Sequence, residues 1–148
     1  MAGKVGVAQI AGVSTGTAAK TLLQLVAAAN HPIKIAELSV GFKGTSNSAS
    51  PVTVKLIRQS DAGTTSALTI NDNNDSDGDT FDTTGRHTAT AEPTGTTVVR
   101  VYTLHQQTSM AISFPEDTRP HVGAGDRLGL VVTSADDINC DASMVFVE

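Results

Sequence analysis

An all-β fold, a jelly-roll-like antiparallel sandwich of about eight strands, is what three features of this 148-residue chain predict. Short apolar runs alternate with polar residues at a two-residue period, the runs stop at Gly, Pro, Asn or Asp, and a sustained helical pattern is nearly absent. A period of two places one set of side chains on each face of an extended strand, and many such strands at short spacing build a sandwich or barrel. Composition agrees: twenty Thr and fifteen Val are β-branched and suit a pleated, half-buried surface.

Residues 1–16 are small, Gly-rich and weakly apolar, and are expected to form an extended N-terminal arm, ordered against a neighbour or simply frayed. A single β-sandwich domain is expected over residues 17–148. Its first stretch is the one ambiguous segment. Leu22, Leu25, Val26 and Ala29 lie at helical spacing, whereas Leu23, Leu25 and Ala27 alternate; the β context favours a strand.

After Pro32, Ile33 and Ile35 occupy odd positions, and then Ala36, Leu38, Val40 and Phe42 occupy even ones. A phase switch of one residue predicts a β-bulge inside a long strand at 33–42. Residues 44–50 read as a polar loop. Val52, Val54 and Leu56 open the next strand, with Thr53 and Lys55 on its other face, and residues 60–63 turn the chain. Leu68 and Ile70 form a short apolar pair before the acidic loop 71–79. Residues 81–97 are Thr-rich and irregular, and predict at most a short edge strand.

Residues 97–105 are strongly β, with Val99, Val101 and Thr103 opposing Val98, Arg100, Tyr102 and Leu104. Apolar groups on both faces suit a strand covered twice or lying at a subunit contact. Three further strands complete the set. Met110, Ile112 and Phe114 alternate with Ala111 and Ser113; Leu128, Leu130 and Val132 follow Gly125-Asp126; Cys140, Ala142, Met144 and Phe146 alternate with Asp141, Ser143, Val145 and Val147.

Length suits one domain, which at this size buries about 68–70% of its unfolded surface. A formal charge of −5 with ten scattered basic residues argues against a nucleic-acid partner. One cysteine permits no intrachain disulfide, so packing or assembly must stabilise the chain. No run is long enough to span a membrane, and Gly3, Gly6 and Gly12 interrupt any signal-peptide core. A soluble chain made in a cytoplasm is expected.

Candidate chemistry is sparse. Asp75, Asp77 and Asp79 surround a glycine and offer carboxylates that calcium would accept, but an EF-hand register starting at Asn73 puts Thr84 where the bidentate Glu belongs. An ordinary solvated loop fits better. His31, His87, His105 and His121 show no metal-ligand spacing. Cys140 alternates with core residues and reads as a small hydrophobe. Ser14 is not expected to act as a nucleophile, Gly123-Ala124-Gly125 matches no phosphate loop, and Asp136-Asp137 and Glu116-Asp117 sit in turns. The expectation is therefore no enzyme, no cofactor and no firm metal site. Arg100 and Tyr102, on one face of the strongest strand, and His105 at its end are the interface candidates.

Two stretches carry a resemblance. Residues 10–26, leading through Asn30 into Ile33-Lys34-Ile35-Ala36-Glu37, form one; Val122-Gly123-Ala124-Gly125-Asp126-Arg127-Leu128-Gly129-Leu130, with the closing strand at 139–146, forms the other. Together they resemble small phage-encoded virion proteins of the jelly-roll decoration (cement) type, over most of the chain except residues 71–93. A Gly-Asp turn before a final buried strand also occurs in trimeric jelly rolls related to complement and tumour-necrosis-factor heads.

The resemblance implies a homotrimer on the outer surface of a phage head, with the major capsid protein as partner, and it assigns no contact residues. The alternative is a receptor- or carbohydrate-binding head of a phage fibre. Zero Trp and one Tyr equip the chain poorly for stacking on sugars.

Overall fold

The structure, a computed structural model, describes residues 3–45, 50–74 and 80–148. Among these residues the strands are β1 (Val5–Ser14), β2 (Lys20–Val26), β3 (Ile33–Phe42), β4 (Pro51–Gln59), β5 (Thr64–Leu68), β6 (Asn71–Asp72), β7 (Thr84–Ala91), β8 (Gly95–His105), β9 (Ser109–Ser113), β10 (His121–Val122), β11 (Arg127–Thr133) and β12 (Asn139–Val147). One sheet runs β10-β3-β12-β1-β6 with β9 also on β3; the second runs β5-β7-β2-β11-β4-β8. Every pairing is antiparallel.

The pairings nest. β1 lies on β12, β2 on β11, β3 on β9 and β10, and β4 on β8. A chain doubled back on itself and rolled into two layers is the jelly roll. β9 and β10 act as one edge strand along β3, interrupted by a 3-10 turn at Glu116–Thr118. The segment between β4 and β8 is an insertion into this plan: β5 and β7 extend one sheet beyond β2, and β6 extends the other beyond β1.

Alternation places the core between the sheets. Cys140, Ala142, Met144 and Phe146 of β12 are buried, as are Val52, Val54 and Leu56 of β4 and Leu128, Leu130 and Val132 of β11. The phase switch in β3 is a bulge: Val145 faces Glu37 and Phe146 faces Ile35, which leaves Ala36 unpaired by β12. Its carbonyl accepts the Phe114 amide instead. The ambiguous segment is the strand β2, and it too is bulged. Leu130 faces Leu23 and Val131 faces Thr21, so Leu22 is the extra residue. Leu22, Leu23 and Leu25 all reach the core.

Two expectations are corrected. Residues 1–16 are not an arm, because Val5–Ser14 is a full strand inside its sheet, between β12 and β6. Its inner face looks weak because its partner fills the space: Gly6 faces Phe146, Ala8 faces Met144 and Ile10 faces Ala142. A Cβ on Gly6 would stand 2.5 Å from the Phe146 ring and 3.0 Å from Ile70. The second correction concerns residues 81–97. Thr84–Ala91 is an eight-residue strand paired on both sides, by β2 and β5. Its buried residues are the small Gly85 and Ala89, and Gly85 lies beneath Ile70 and Leu68.

One outer face holds a buried polar chain. Gln24, only 1% exposed, donates through Nε2 to Gln59 Oε1 and to the Asp61 carbonyl. Gln59 in turn donates to Thr21 Oγ1, and the Thr21 amide and hydroxyl donate to Glu92. The buried polar atoms of Gln24, Gln59 and Thr21 thus all meet partners, Gln24 Oε1 accepting from Arg127, as burial demands. Gly129 makes room for it, since a Cβ there would stand 2.3 Å from Gln59 Oε1.

A chain lacking residues 1–14 is expected to lose its cooperative unfolding transition and its dispersed amide spectrum; retention of both would restore the arm. Gly6→Ala, which overfills the space beside Phe146, is expected to lower urea stability by about 1–3 kcal/mol.

Candidate functional site

β8 is the free edge of its sheet, and its two faces differ. Arg100, Tyr102 and Leu104 stand opposite the buried Leu56, Val54 and Val52, so they point inward. Arg100 lies over the Phe114 ring with its guanidinium carbon 5.9 Å from the centroid, and donates to the carbonyls of Thr118 and of its own neighbour Val99. It closes the open side of the sandwich. Tyr102 packs against the core, and its burial pushes the phenol above its ordinary pKa. These two sequence-selected residues do share a face, but the face that looks into the protein. His105 lies on the opposite, exposed face at the strand's end, where Nδ1 accepts the Gln107 amide.

The outward face of β8 carries what sequence reasoning did not single out. Val98 is 47% exposed and Val101 54% exposed, the large hydrophobics most open to solvent among the described residues. Val98 stands beside Ile57 on β4, and Val101 beside Lys55. On the next strand Val131 sits opposite Lys55, outside the core. The result is an apolar patch at the outer edge of the sheet, in which the exposed Val98 and Val101 flank the half-buried Ile57 and Lys55 separates Val101 from the buried Val131. Its signal was already in the sequence: apolar residues on both faces of residues 97–105.

The other sheet presents a shallow groove of about 400 Å³ across β1, β12, β3 and β9. Small side chains floor it, among them Ala11, Ser39, Ala111 and Ser143. Ser39 and Ser143 hydroxyls bond to each other across the strands.

The remaining sequence candidates resolve into structure. Cys140 is buried, and desolvation, reinforced by the Asp141 charge, pushes its thiol up to about 12. A protonated thiol is a poor nucleophile. The Ser14 hydroxyl is committed to Asp137, which also accepts the Gly16 amide. Gly125 takes φ +78 in the turn before β11, while the Asp126 amide bonds back to Gly123, as the Gly-Asp pattern implies. His87 meets Thr88, and His121 is exposed. His31 lies 3.2 Å from Asp82, with Glu148 alongside. Burial raises the Glu148 carboxyl, but three hydrogen bonds from Thr83 and Asp82 outweigh it and hold the group below its ordinary value. Asp75, Asp77 and Asp79 lie outside the described residues.

No protein-family model, curated protein or solved structure matches this chain.

Two exposed carboxylates fasten β1 to the far end of the chain. Asp137 accepts from Ser14 and Gly16, and Asp141 accepts from the amide of Gly12 and pairs with Lys43. These hydrogen bonds hold both acids below the ordinary carboxylate pKa of about 4. A folded-state value below the unfolded one contributes stability that is full above about pH 4 and is lost as pH falls through the folded value. The Asp137→Asn/Asp141→Asn variant is therefore expected to lose less melting temperature than the parent between pH 5 and pH 2. Equal slopes would show that these clamps contribute nothing.

Proposed function

We propose that this chain is a structural virion protein, not an enzyme, that decorates and stabilises an icosahedral phage head as a homotrimer on the outer surface of the major capsid protein lattice. Synthesis takes place in the cytoplasm of the bacterial host. The observation that carries this reading is the exposed apolar patch of Val98 and Val101 beside the half-buried Ile57, on a sheet whose other large apolar side chains are buried or half-buried. Contiguous apolar surface of this kind marks an interaction site.

The resemblance in the sequence adds support. Its two stretches cover β2 with parts of β1 and β3 on one side and parts of β10, β11 and β12 on the other, and β1 pairs with β12, β2 with β11 and β3 with β12. Trimeric presentation turns three modest contacts into one durable attachment, because the second and third contacts form at high effective concentration. The fibre-head alternative is weaker: the single tyrosine, Tyr102, faces inward and Trp is absent from the sequence, so no aromatic platform awaits a sugar ring.

Cosedimentation with capsid shells stripped of this protein tests the reading. Wild type is expected to saturate the shells and to scatter light as a trimer. Val98→Asp/Val101→Asp is expected to lose about tenfold or more in occupancy, a loss of about 1.4 kcal/mol, with its melting temperature unchanged. A monomer without affinity for shells would overturn the proposal, and reproducible glycan-array binding would favour the fibre head.

A further inference from the structure

We propose that His31, Asp82 and Glu148 form a binding site for one divalent cation of the zinc type. The three residues come from separate parts of the chain: the β2–β3 connection, the segment before β7, and the position following β12. Their ligand atoms, one imidazole nitrogen and two carboxylate oxygens, lie within 4.8 Å of one another. His31 Nδ1 and Asp82 Oδ2 are 3.2 Å apart. Two ligands on one tetrahedral zinc, with bonds of about 2.0–2.1 Å, stand about 3.3 Å apart. The pair therefore already has the spacing of neighbouring ligands.

Glu148 is held in place by its surroundings. One carboxylate oxygen accepts from the Thr83 amide and hydroxyl at 2.7 and 2.6 Å, and the other, among the described residues, accepts the Asp82 amide alone, at 3.2 Å. The second oxygen keeps a lone pair for a metal. Thr83 is 2% exposed, so this support is rigid, and outer-shell partners of this sort orient a ligand. Lys4, the nearby cation, donates to the Thr80 carbonyl.

The donor set selects the ion. Two carboxylates and a neutral imidazole balance a divalent charge, and the imidazole disfavours calcium and magnesium, which take oxygen ligands. His31 is 48% and Asp82 61% exposed at the side chain, so the ion keeps an open position for water. Binding would tie three loop segments together at one end of the sandwich and stabilise the folded state by mass action.

Isothermal titration of Zn2+ into the full chain, with parallel melting curves, tests the site. One equivalent is expected to bind and raise the melting temperature, and Ca2+ at the same concentration is expected to do neither. His31→Ala and Glu148→Gln should each weaken binding by about tenfold or more, while Asp75→Asn/Asp77→Asn/Asp79→Asn should leave it intact. Asp82→Asn, which preserves size, gives an independent reading should either single variant fail to fold. Absence of binding, equal affinity in His31→Ala, equal affinity for Ca2+, or loss only in the Asp75/Asp77/Asp79 variant would overturn the assignment.

Discussion

Closure of the first strand on the last is the constraint from which the rest of this structure follows. β1 and β12 pair from Val5 with Val147 to Ser14 with Asn139, so the first and last strands must meet before their sheet is complete. Such distant pairing carries a loop-closure cost and slows folding relative to local contacts. What offsets that cost is fit. Across the inner face, side-chain volume falls along one strand as it rises along the other, from Gly6 with Phe146, through Ala8 with Met144, to Ile10 with Ala142. Phe81 then meets Phe146 edge-on at 5.6 Å, which brings the inserted segment onto the same core. At the far end of β1, a bulge between Ile10 and Val13 places Gly12 at φ +65 and turns its amide to Asp141.

The inserted segment makes the two sides of the sandwich unlike. Beyond β1 and β2 the layers are extended by β6 on one sheet and by β7 and β5 on the other. On the opposite side Arg100 and Phe114 close the gap between β8 and the end of β9. The outer face of the β8 sheet is divided in the same sense. Towards the β4–β5 turn it is covered by the Gln24–Gln59–Thr21–Glu92 chain, and towards β8 it exposes Val98 and Val101. A polar network that is fully satisfied fixes one arrangement of the strands beneath it.

Much of this fold was legible in the residues, and the failures share one cause. Strands whose large side chains fall at alternate positions, such as β4, β11 and β12, announce themselves. So did the bulge at Ala36, because a one-residue slip exchanges the faces. β1 and β7 stayed hidden because their inner positions are Gly6, Ala8, Gly85 and Ala89, and period-two hydrophobicity disappears when the partner supplies the bulk. In β2 the extra Leu22 spoils the alternation and creates an apparent helical spacing. At the candidate sites, β character in residues 97–105 was plain, but the bulge at Val99 shifts the phase, so the inward partners of Leu56 and Val54 are Arg100 and Tyr102. The grouping of His31, Asp82 and Glu148 had no local spacing to reveal it, since only the rolled topology brings those segments together.

β8 is broken twice, at the register shifts against β4 beside Thr96 and Val99, and Arg100 occupies the carbonyl of Val99 at the second break. Beyond the second break residues 100–105 stay in register with β4. That run is no longer than the roughly six- or seven-residue stretches that stack into amyloid. The outer face of β8 can thus expose valines to solvent while its twice-broken rim offers a poor template for a further strand.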